Sequence, residues 1–151
     1  MPGVQVGQEA PDFTLKDDTD TDWKLSDQRG QKVVLMFFPF AFSPVCQTEM
    51  CDVRDLRDDF AGSNAKVVGI SRDSIWSLKT WKEQQGLNQT FLSDLTGDVA
   101  RAYDAWNEDL ARADRVTVIV DESGKVIYTT RTAHGGIARD HQEALAAVRG
   151  G

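Results

Sequence analysis

The chain has 151 residues, which is enough to bury a substantial core and is most simply one domain. Its 24 acidic and 17 basic side chains give a formal net charge of −7 without a cluster of Lys and Arg, so nucleic acid and anionic membrane surfaces are poor candidate partners. Because neither a secretory signal nor an apolar run of membrane-spanning length is visible, we expect a cytoplasmic protein whose thiols stay reduced.

The first predicted elements are a hairpin, a buried strand and a helix. Residues 13–15 and 23–25 flank an acidic turn, which predicts two short antiparallel strands. Residues 32–38 are almost wholly apolar and rich in β-branched and aromatic side chains, as is typical of a central strand covered on both faces. Pro39 cannot donate to a strand ladder and ends it. A polar/apolar pattern over residues 45–60 then predicts a helix.

The rest of the chain alternates short apolar strands with helical patterns. We predict strands at residues 66–71, 91–92, 116–121 and 125–130, and helices at residues 74–86, from 96 onward and at 139–148. In the helix that begins near Asp98, one face would be formed by Val99, Ala102, Tyr103 and Trp106. This alternation, with hairpins near both ends, predicts an α/β fold with helices on both faces of a central sheet.

Cys46 falls in the first turn of the helix predicted over residues 45–60. Unpaired backbone N–H groups and the positive end of the helix dipole favour an anion at that position. The thiolate is the nucleophilic form of cysteine, and a helix start favours it over the thiol. Cys46 is therefore a candidate reactive thiol.

The second cysteine, Cys51, lies five residues further along the same predicted helix. On an intact α-helix that spacing separates the two Cα atoms by roughly 8.6 Å, whereas a disulfide needs them within about 7 Å. A Cys46–Cys51 disulfide would therefore require the helix to unwind locally. Alternatively, Cys51 is a small buried apolar residue. With His134 and His141 the cysteines are too few and badly spaced for zinc, and Cys-x-x-Cys is absent.

The residues around Cys46 resemble the active site of a peroxiredoxin. The family signature Pro-x-x-x-Thr/Ser-x-x-Cys is matched by Pro39, Ser43 and Cys46, and Glu49 falls where peroxiredoxins carry a glutamate. Arg115, which opens the segment RVTVIVDESGKVIY, matches the family's second essential position. The segments GQEAPDFTL and SDLTGDVARAYDAW agree as well, so that the similarity covers nearly the whole chain.

This resemblance implies a thioredoxin-like fold with a central mixed sheet, helices on both faces and an N-terminal hairpin. The loop PFAFSPVC is most similar to the AhpE type, whose members often work with a single cysteine. Cys51 instead resembles the resolving cysteine of the bacterioferritin-comigratory-protein (PrxQ) type, which lies in the same helix. Both a one-cysteine and a two-cysteine cycle therefore stay open.

The resemblance also implies a role for each matched residue. Cys46 would attack a peroxide and become a sulfenic acid, at a position that a small oxidant can reach. Arg115 would favour the thiolate and donate to the peroxide oxygens, while Ser43 would exchange hydrogen bonds with the peroxide and Pro39 would shield the thiolate from water. Taken singly, Arg115 could be a solvated charge at a strand edge, Ser43 a helix cap and Pro39 a strand stop.

Glu49 has two interpretations of about equal weight. It could be an exposed carboxylate that complements the helix dipole, or, as the resemblance implies, it could orient an arginine.

The resemblance implies an enzyme that reduces hydrogen peroxide or organic hydroperoxides without metal, haem or flavin. A thioredoxin-like protein or a low-molecular-weight thiol would reduce the oxidised enzyme. A homodimer is also expected, with an interface near Phe42, Trp76 and Trp106. The alternatives are a redox sensor that uses Cys46 and a thiol–disulfide oxidoreductase, the latter disfavoured by the missing Cys-x-x-Cys.

Overall fold

The computed structural model describes residues 4–132 and 139–150, and in them a seven-stranded mixed sheet forms the centre of the molecule. The strands are β1 Thr14–Asp17, β2 Asp22–Lys24, β3 Lys32–Phe37, β4 Ala65–Ser71, β5 Thr90–Ser93, β6 Trp106–Asn107, β7 Arg112–Ala113, β8 Val116–Val120 and β9 Val126–Arg131. The helices are α1 Pro44–Asp55, α2 Arg57–Gly62, α3 Ile75–Gln85, α4 Asp98–Ala102 and α5 His141–Gly150. The sheet order is β2-β1-β5-β4-β3-β8-β9, and β6 pairs with β7 apart from it.

The central strand is β3, as predicted. It is parallel to β4 and antiparallel to β8, and all six of its residues are buried. Successive side chains point to opposite faces, so that Leu35 and Phe37 join one apolar cluster while Val34 and Met36 join the other. An uninterrupted apolar run is needed because both faces of this strand are covered.

Helices cover both faces of the sheet, but unequally. One face carries α1, α2, α3 and α5, whereas the other carries the short α4, and the β1–β2 hairpin forms one edge of the sheet. The predicted mixed sheet with an N-terminal hairpin is therefore confirmed. None of the helices in the described part of the chain has the length and apolarity to span a bilayer.

The helix predicted over residues 45–60 is two helices. The Leu56 N–H donates to the Val53 carbonyl, three residues back, at 3.1 Å. This tight turn separates α1 from α2, because an α-helix would bond four residues back.

The helix that begins at Asp98 is shorter than predicted. It ends at Ala102, and Asp104 adopts a left-handed backbone with φ of 54°. The Ala105 N–H then bonds the Ala100 carbonyl at 2.7 Å, which is the bond that closes a Schellman motif. The predicted face is therefore wrong for Ala102, which is exposed, and for Trp106, which begins β6.

Candidate active site

Cys46 is the third residue of α1, in the first turn as predicted. Ser43 precedes the helix in extended conformation, and Pro44 occupies the first helical position, where its missing N–H costs nothing. The Gln47 N–H is the first to bond back, to the Ser43 carbonyl at 2.9 Å. The Cys46 N–H therefore lies ahead of the helical ladder and is one of the donors that a helix start leaves for an anion.

The sulfur of Cys46 is less accessible than the sequence predicts. Cys46 has a relative exposure of 0% and belongs to the apolar cluster that includes Ala41 and Met50. The expectation of an open sulfur is wrong for this conformation, because the loop before α1 and the helix itself close over it.

Strand register brings Arg115 to the same end of the sheet. Phe37 pairs with Val116 across β3 and β8, so Arg115 lies at the end of β3 from which the chain continues to Cys46. Arg115 is 2% exposed, and its Nη1 donates to Glu49 Oε1 at 2.6 Å. The alternative in which Arg115 is a solvated charge is therefore wrong.

Glu49 is fully buried, so its interpretation as an exposed residue is also wrong. It lies three residues after Cys46 in α1, and residues at this spacing share one helix face. Its contact with Arg115 therefore brings a guanidinium alongside the turn that carries Cys46.

Arg139 is a member of this cluster that the sequence analysis missed. Its Nε donates to Glu49 Oε2 at 3.0 Å and its Nη2 to Oε1 at 2.9 Å, which is a bidentate pair. Its backbone N–H donates to the same Oε2 at 2.7 Å. Arg139 and Glu49 are 90 residues apart, and a pattern local to either segment carries no signal of this contact.

The carboxyl of Glu49 stays ionised in this cluster. Burial raises its pKa, but the hydrogen bonds and charge of Arg139, together with the charge of Arg115, outweigh burial and lower the pKa from 4.5 to about 2. The three side chains therefore comprise two cations and one anion, and this net positive charge favours an anion nearby.

His141, at the start of α5, adjoins the cluster. Its Nε2 lies 4.0 Å from Glu49 Oε2, and within the described residues neither ring nitrogen has a hydrogen-bond partner. Burial lowers the pKa of His141, the charge of Glu49 raises it and that of Arg139 lowers it further. The net shift is downward, so the imidazole is neutral near neutral pH.

The loop before α1 holds the other matched residues. Pro39 is buried and follows β3, whereas Ser43 is half-buried. The Ser43 hydroxyl donates to the Phe40 carbonyl at 3.0 Å and makes no side-chain cap to α1. Ser43 therefore occupies the cap position without capping through its side chain, and its oxygen retains acceptor capacity.

Cys51 lies one and a half turns beyond Cys46 in the same uninterrupted helix. It is half-buried against the apolar cluster, and both cysteines are free thiols. The helical spacing estimated from the sequence therefore applies to the pair, with Cα atoms about 8.6 Å apart.

The residues expected at a dimer interface differ in exposure. Trp76 is 69% and Phe42 48% exposed, whereas Trp106 is half-buried against the core beneath the Arg101 guanidinium. His134, considered as a zinc ligand, lies outside the described residues. Among those that are described, no group of three or more His, Cys, Asp or Glu is arranged to hold a metal ion.

Comparisons with known proteins identify the family. Residues 6–129 match the model of the AhpC/TSA family. The chain is 34% identical to peroxiredoxin Bcp of Bacillus subtilis, over 97% of this chain and 96% of that protein. It is 37% identical to alkyl hydroperoxide reductase E of Mycobacterium tuberculosis, over 96% and 98% of the two chains.

Among solved structures, the crystal structure of peroxidoxin BcpB from Mycobacterium tuberculosis superposes with a TM-score of 0.88 at 31% identity, covering 97% of both chains. Family model, sequence relatives and fold all agree. The chain belongs to the AhpC/TSA family and is a peroxiredoxin, a thiol-dependent peroxidase of thioredoxin-like fold.

Proposed function

We propose that Cys46 is the peroxidatic residue of this enzyme and that Arg115 assists it directly. The observation that carries the proposal is the 2.6 Å contact between Arg115 and Glu49. Because Glu49 is one turn from Cys46, this contact places a cation on the side of α1 that carries Cys46. The helix start and the guanidinium then act together on the thiolate.

The first step oxidises the sulfur. The thiolate of Cys46 attacks the terminal oxygen of hydrogen peroxide or an organic hydroperoxide, so that an S–O bond forms and the O–O bond breaks. The leaving oxygen takes a proton and departs as water or an alcohol, and Cys46 becomes a sulfenic acid. Negative charge grows on the leaving oxygen, where Arg115 and the Cys46 N–H donate to it. Ser43 orients the peroxide, and Pro39 excludes water from the thiolate.

The second step consumes the sulfenic acid. In the proposed cycle, the Cys51 thiol attacks the Cys46 sulfur, an S–S bond forms and water leaves. A thioredoxin-like protein or a low-molecular-weight thiol then reduces the disulfide. This step needs α1 to unwind, and Glu49, which lies between the two cysteines, must then leave Arg139.

A one-cysteine cycle is the alternative, and the wound α1 favours it. While the helix is intact the two sulfurs cannot bond, so that an external thiol would have to attack the Cys46 sulfenic acid directly. Cys51 would then be part of the apolar core only.

Mass spectrometry after one equivalent of peroxide separates the two cycles. With Cys51 as resolving residue, the protein loses two hydrogens and a peptide links Cys46 to Cys51, whereas a sulfenic-acid trap captures Cys46 in the Cys51→Ser variant. A trapped Cys46 in the unaltered protein, with unchanged steady turnover of Cys51→Ser, would exclude Cys51 from the cycle. Cys46→Ser is the control that must consume no peroxide.

We also propose a cytoplasmic homodimer. Two free thiols suit a reducing compartment. The exposed Phe42 and Trp76 are large apolar side chains of the kind that interfaces cover. Sedimentation of the protein and of Trp76→Lys tests this: a dimer that the substitution dissociates supports an interface at Trp76, and a monomeric unaltered protein contradicts it.

A further inference from the structure

The loop at residues 39–43 connects β3 to α1 and carries Pro39 and Ser43. Its conformation has an intrinsic cost, because Phe42 has a φ of 70°, in the left-handed region that a bulky residue seldom occupies. Such a backbone persists only where the surrounding structure holds it. The contacts that hold this loop therefore decide how the chain enters α1.

One carboxylate holds the loop from outside. The Ala41 N–H donates to Asp73 Oδ2 at 2.8 Å. Apart from the bond of the Gln47 N–H to the Ser43 carbonyl, which begins α1, this is the one hydrogen bond in the described part of the chain that joins the backbone of residues 39–43 to another segment. Ala41 directly precedes the strained Phe42, so that Asp73 fixes the loop beside its least favourable torsion.

Asp73 is itself fixed at the end of the sheet. The Ser71 hydroxyl donates to the same Oδ2 at 2.6 Å, and the Asp73 N–H donates back to Ser71 Oγ at 3.2 Å. The Ser93 hydroxyl donates to the Asp73 carbonyl at 2.6 Å. Ser71 and Ser93 are buried partners on β4 and β5. Asp73 is therefore held by the sheet and in turn holds the loop through Ala41.

A second contact from the same segment reaches the loop. The guanidinium of Arg72 lies 5.9 Å from the centre of the Phe40 ring, and its Nη1 donates to the Ala111 carbonyl at 2.6 Å. Arg72 and Asp73 thus both approach the loop from the end of β4. Arg72 contacts the Phe40 side chain, and Asp73 accepts from the loop backbone at Ala41.

We propose that Asp73 is a positioning residue of the peroxidase site, acting through the Ala41 N–H to set the loop that carries Pro39 and Ser43. This role rests on the proposed function of Cys46. Asp73 does not touch the peroxide; it determines where the Ser43 hydroxyl and the Cys46 N–H lie when the peroxide arrives. A displacement of about 1 Å in such a group can cost about 100-fold in rate.

The test compares two electrophiles in the Cys51→Ser background. Hydrogen peroxide needs the positioned donors, whereas iodoacetamide needs only an accessible thiolate. We expect Asp73→Ala to lower the second-order rate constant for peroxide about 10- to 100-fold and the alkylation rate by less than about threefold. Asp73→Asn should recover most of the peroxide rate, since its amide oxygen can still accept from Ala41.

Asp121 provides the matched control. Its carboxylate also accepts backbone N–H groups in a turn, from Ser123 and Lys125, at the β8–β9 hairpin. Asp121→Ala should lower the melting temperature comparably and leave both rate constants unchanged.

Three outcomes overturn the proposal: a peroxide rate for Asp73→Ala equal to that of its parent, an equal loss for both electrophiles, or the same loss in Asp121→Ala. If Asp73→Ala fails to fold, Ser71→Ala decides instead, because it removes one bond to Oδ2. A lower ratio of peroxide to alkylation rate supports the role, and an unchanged ratio contradicts it. A parent protein that does not react with peroxide would instead contradict the function proposed for Cys46.

Discussion

The two cysteines of α1 share a helix and a residue type but not an environment. Cys46 is fully buried in the first turn, one turn from a carboxylate that two guanidinium groups contact. Cys51 is half-buried in mid-helix, where Arg54 is an electrostatic neighbour. Both cysteines therefore lie in a stretch of α1 that an arginine approaches. The helix start and the buried ion cluster belong to Cys46 alone, and we expect them to make Cys46 the more reactive thiol.

The largest effect is expected from removing Arg115, the buried cation that contacts Glu49. Arg115→Met should lower the second-order rate constant with hydrogen peroxide by about 10²- to 10³-fold, the usual loss for a donor to a developing negative charge. Stopped-flow tryptophan fluorescence or competition kinetics measures it.

Arg54→Met is the matched control, because it removes the cation beside Cys51 and should leave the rate within about threefold. Equal losses in the two variants would mean that net charge, rather than the site of the charge, sets the reactivity of Cys46.

Glu49→Gln is expected to affect both rate and stability. The amide orients Arg115 less firmly and leaves two guanidinium groups without their carboxylate, so we expect about a 10-fold lower peroxide rate and about 3 kcal/mol of lost stability. Urea unfolding monitored by circular dichroism measures the second effect.

The same carboxyl makes stability pH-dependent. Its folded pKa of about 2 lies below its usual value of 4.5, so its contribution is fully present above pH 4.5 and is lost as the pH falls towards 2. The stability of Glu49→Gln should lack this component of the acid slope. A variant with the parent's slope would show that the carboxyl is not held ionised by its neighbours.

Substitutions of Ser43 test the role of its hydroxyl, rather than that of the charges on Arg115 and Glu49. Ser43→Ala should lower the peroxide rate about 10-fold, since it removes one oriented hydrogen-bond partner, whereas Ser43→Thr keeps the hydroxyl and should stay within about threefold. If Ala and Thr behave alike, the hydroxyl takes no part in the reaction, and its bond to Phe40 is only a loop contact.

The smallest effect concerns His141. Because burial lowers its folded pKa below 6.5, the unfolded chain binds the proton more readily, and the stability of the protein should fall as the pH drops below 6.5. His141→Leu should flatten this dependence below pH 6.5 in thermal melts and leave the peroxide rate at neutral pH unchanged. A persistent slope would show that His141 is not its source.

Features that depend on neighbouring residues in the chain could be predicted from the sequence. The apolar run of β3 and the helix start at Cys46 are local patterns, and both hold in the structure. The end of α4 could not be predicted in this way, because Asp104 adopts a left-handed torsion for which the sequence offers no glycine.

Features that depend on distant contacts escaped prediction. Arg139 resembles any charged residue before a helix until its partner, 90 residues earlier, is known. The burial of Cys46 is likewise set by a loop and helix that close over it, and a pattern along one segment does not encode how tightly two segments pack. Asp73 lies 32 residues from Ala41, so a local pattern could not predict the hydrogen bond between them either.

The contrast between β3 and α1 has a consequence for amide hydrogen exchange. All six residues of β3 are buried between two bonded strands, whereas four of the twelve residues of α1 are buried. Amides of β3 should exchange only through global unfolding, and those of the first turns of α1 through smaller, less costly openings. The segment that carries both thiols can therefore open and reclose many times within one lifetime of the folded sheet.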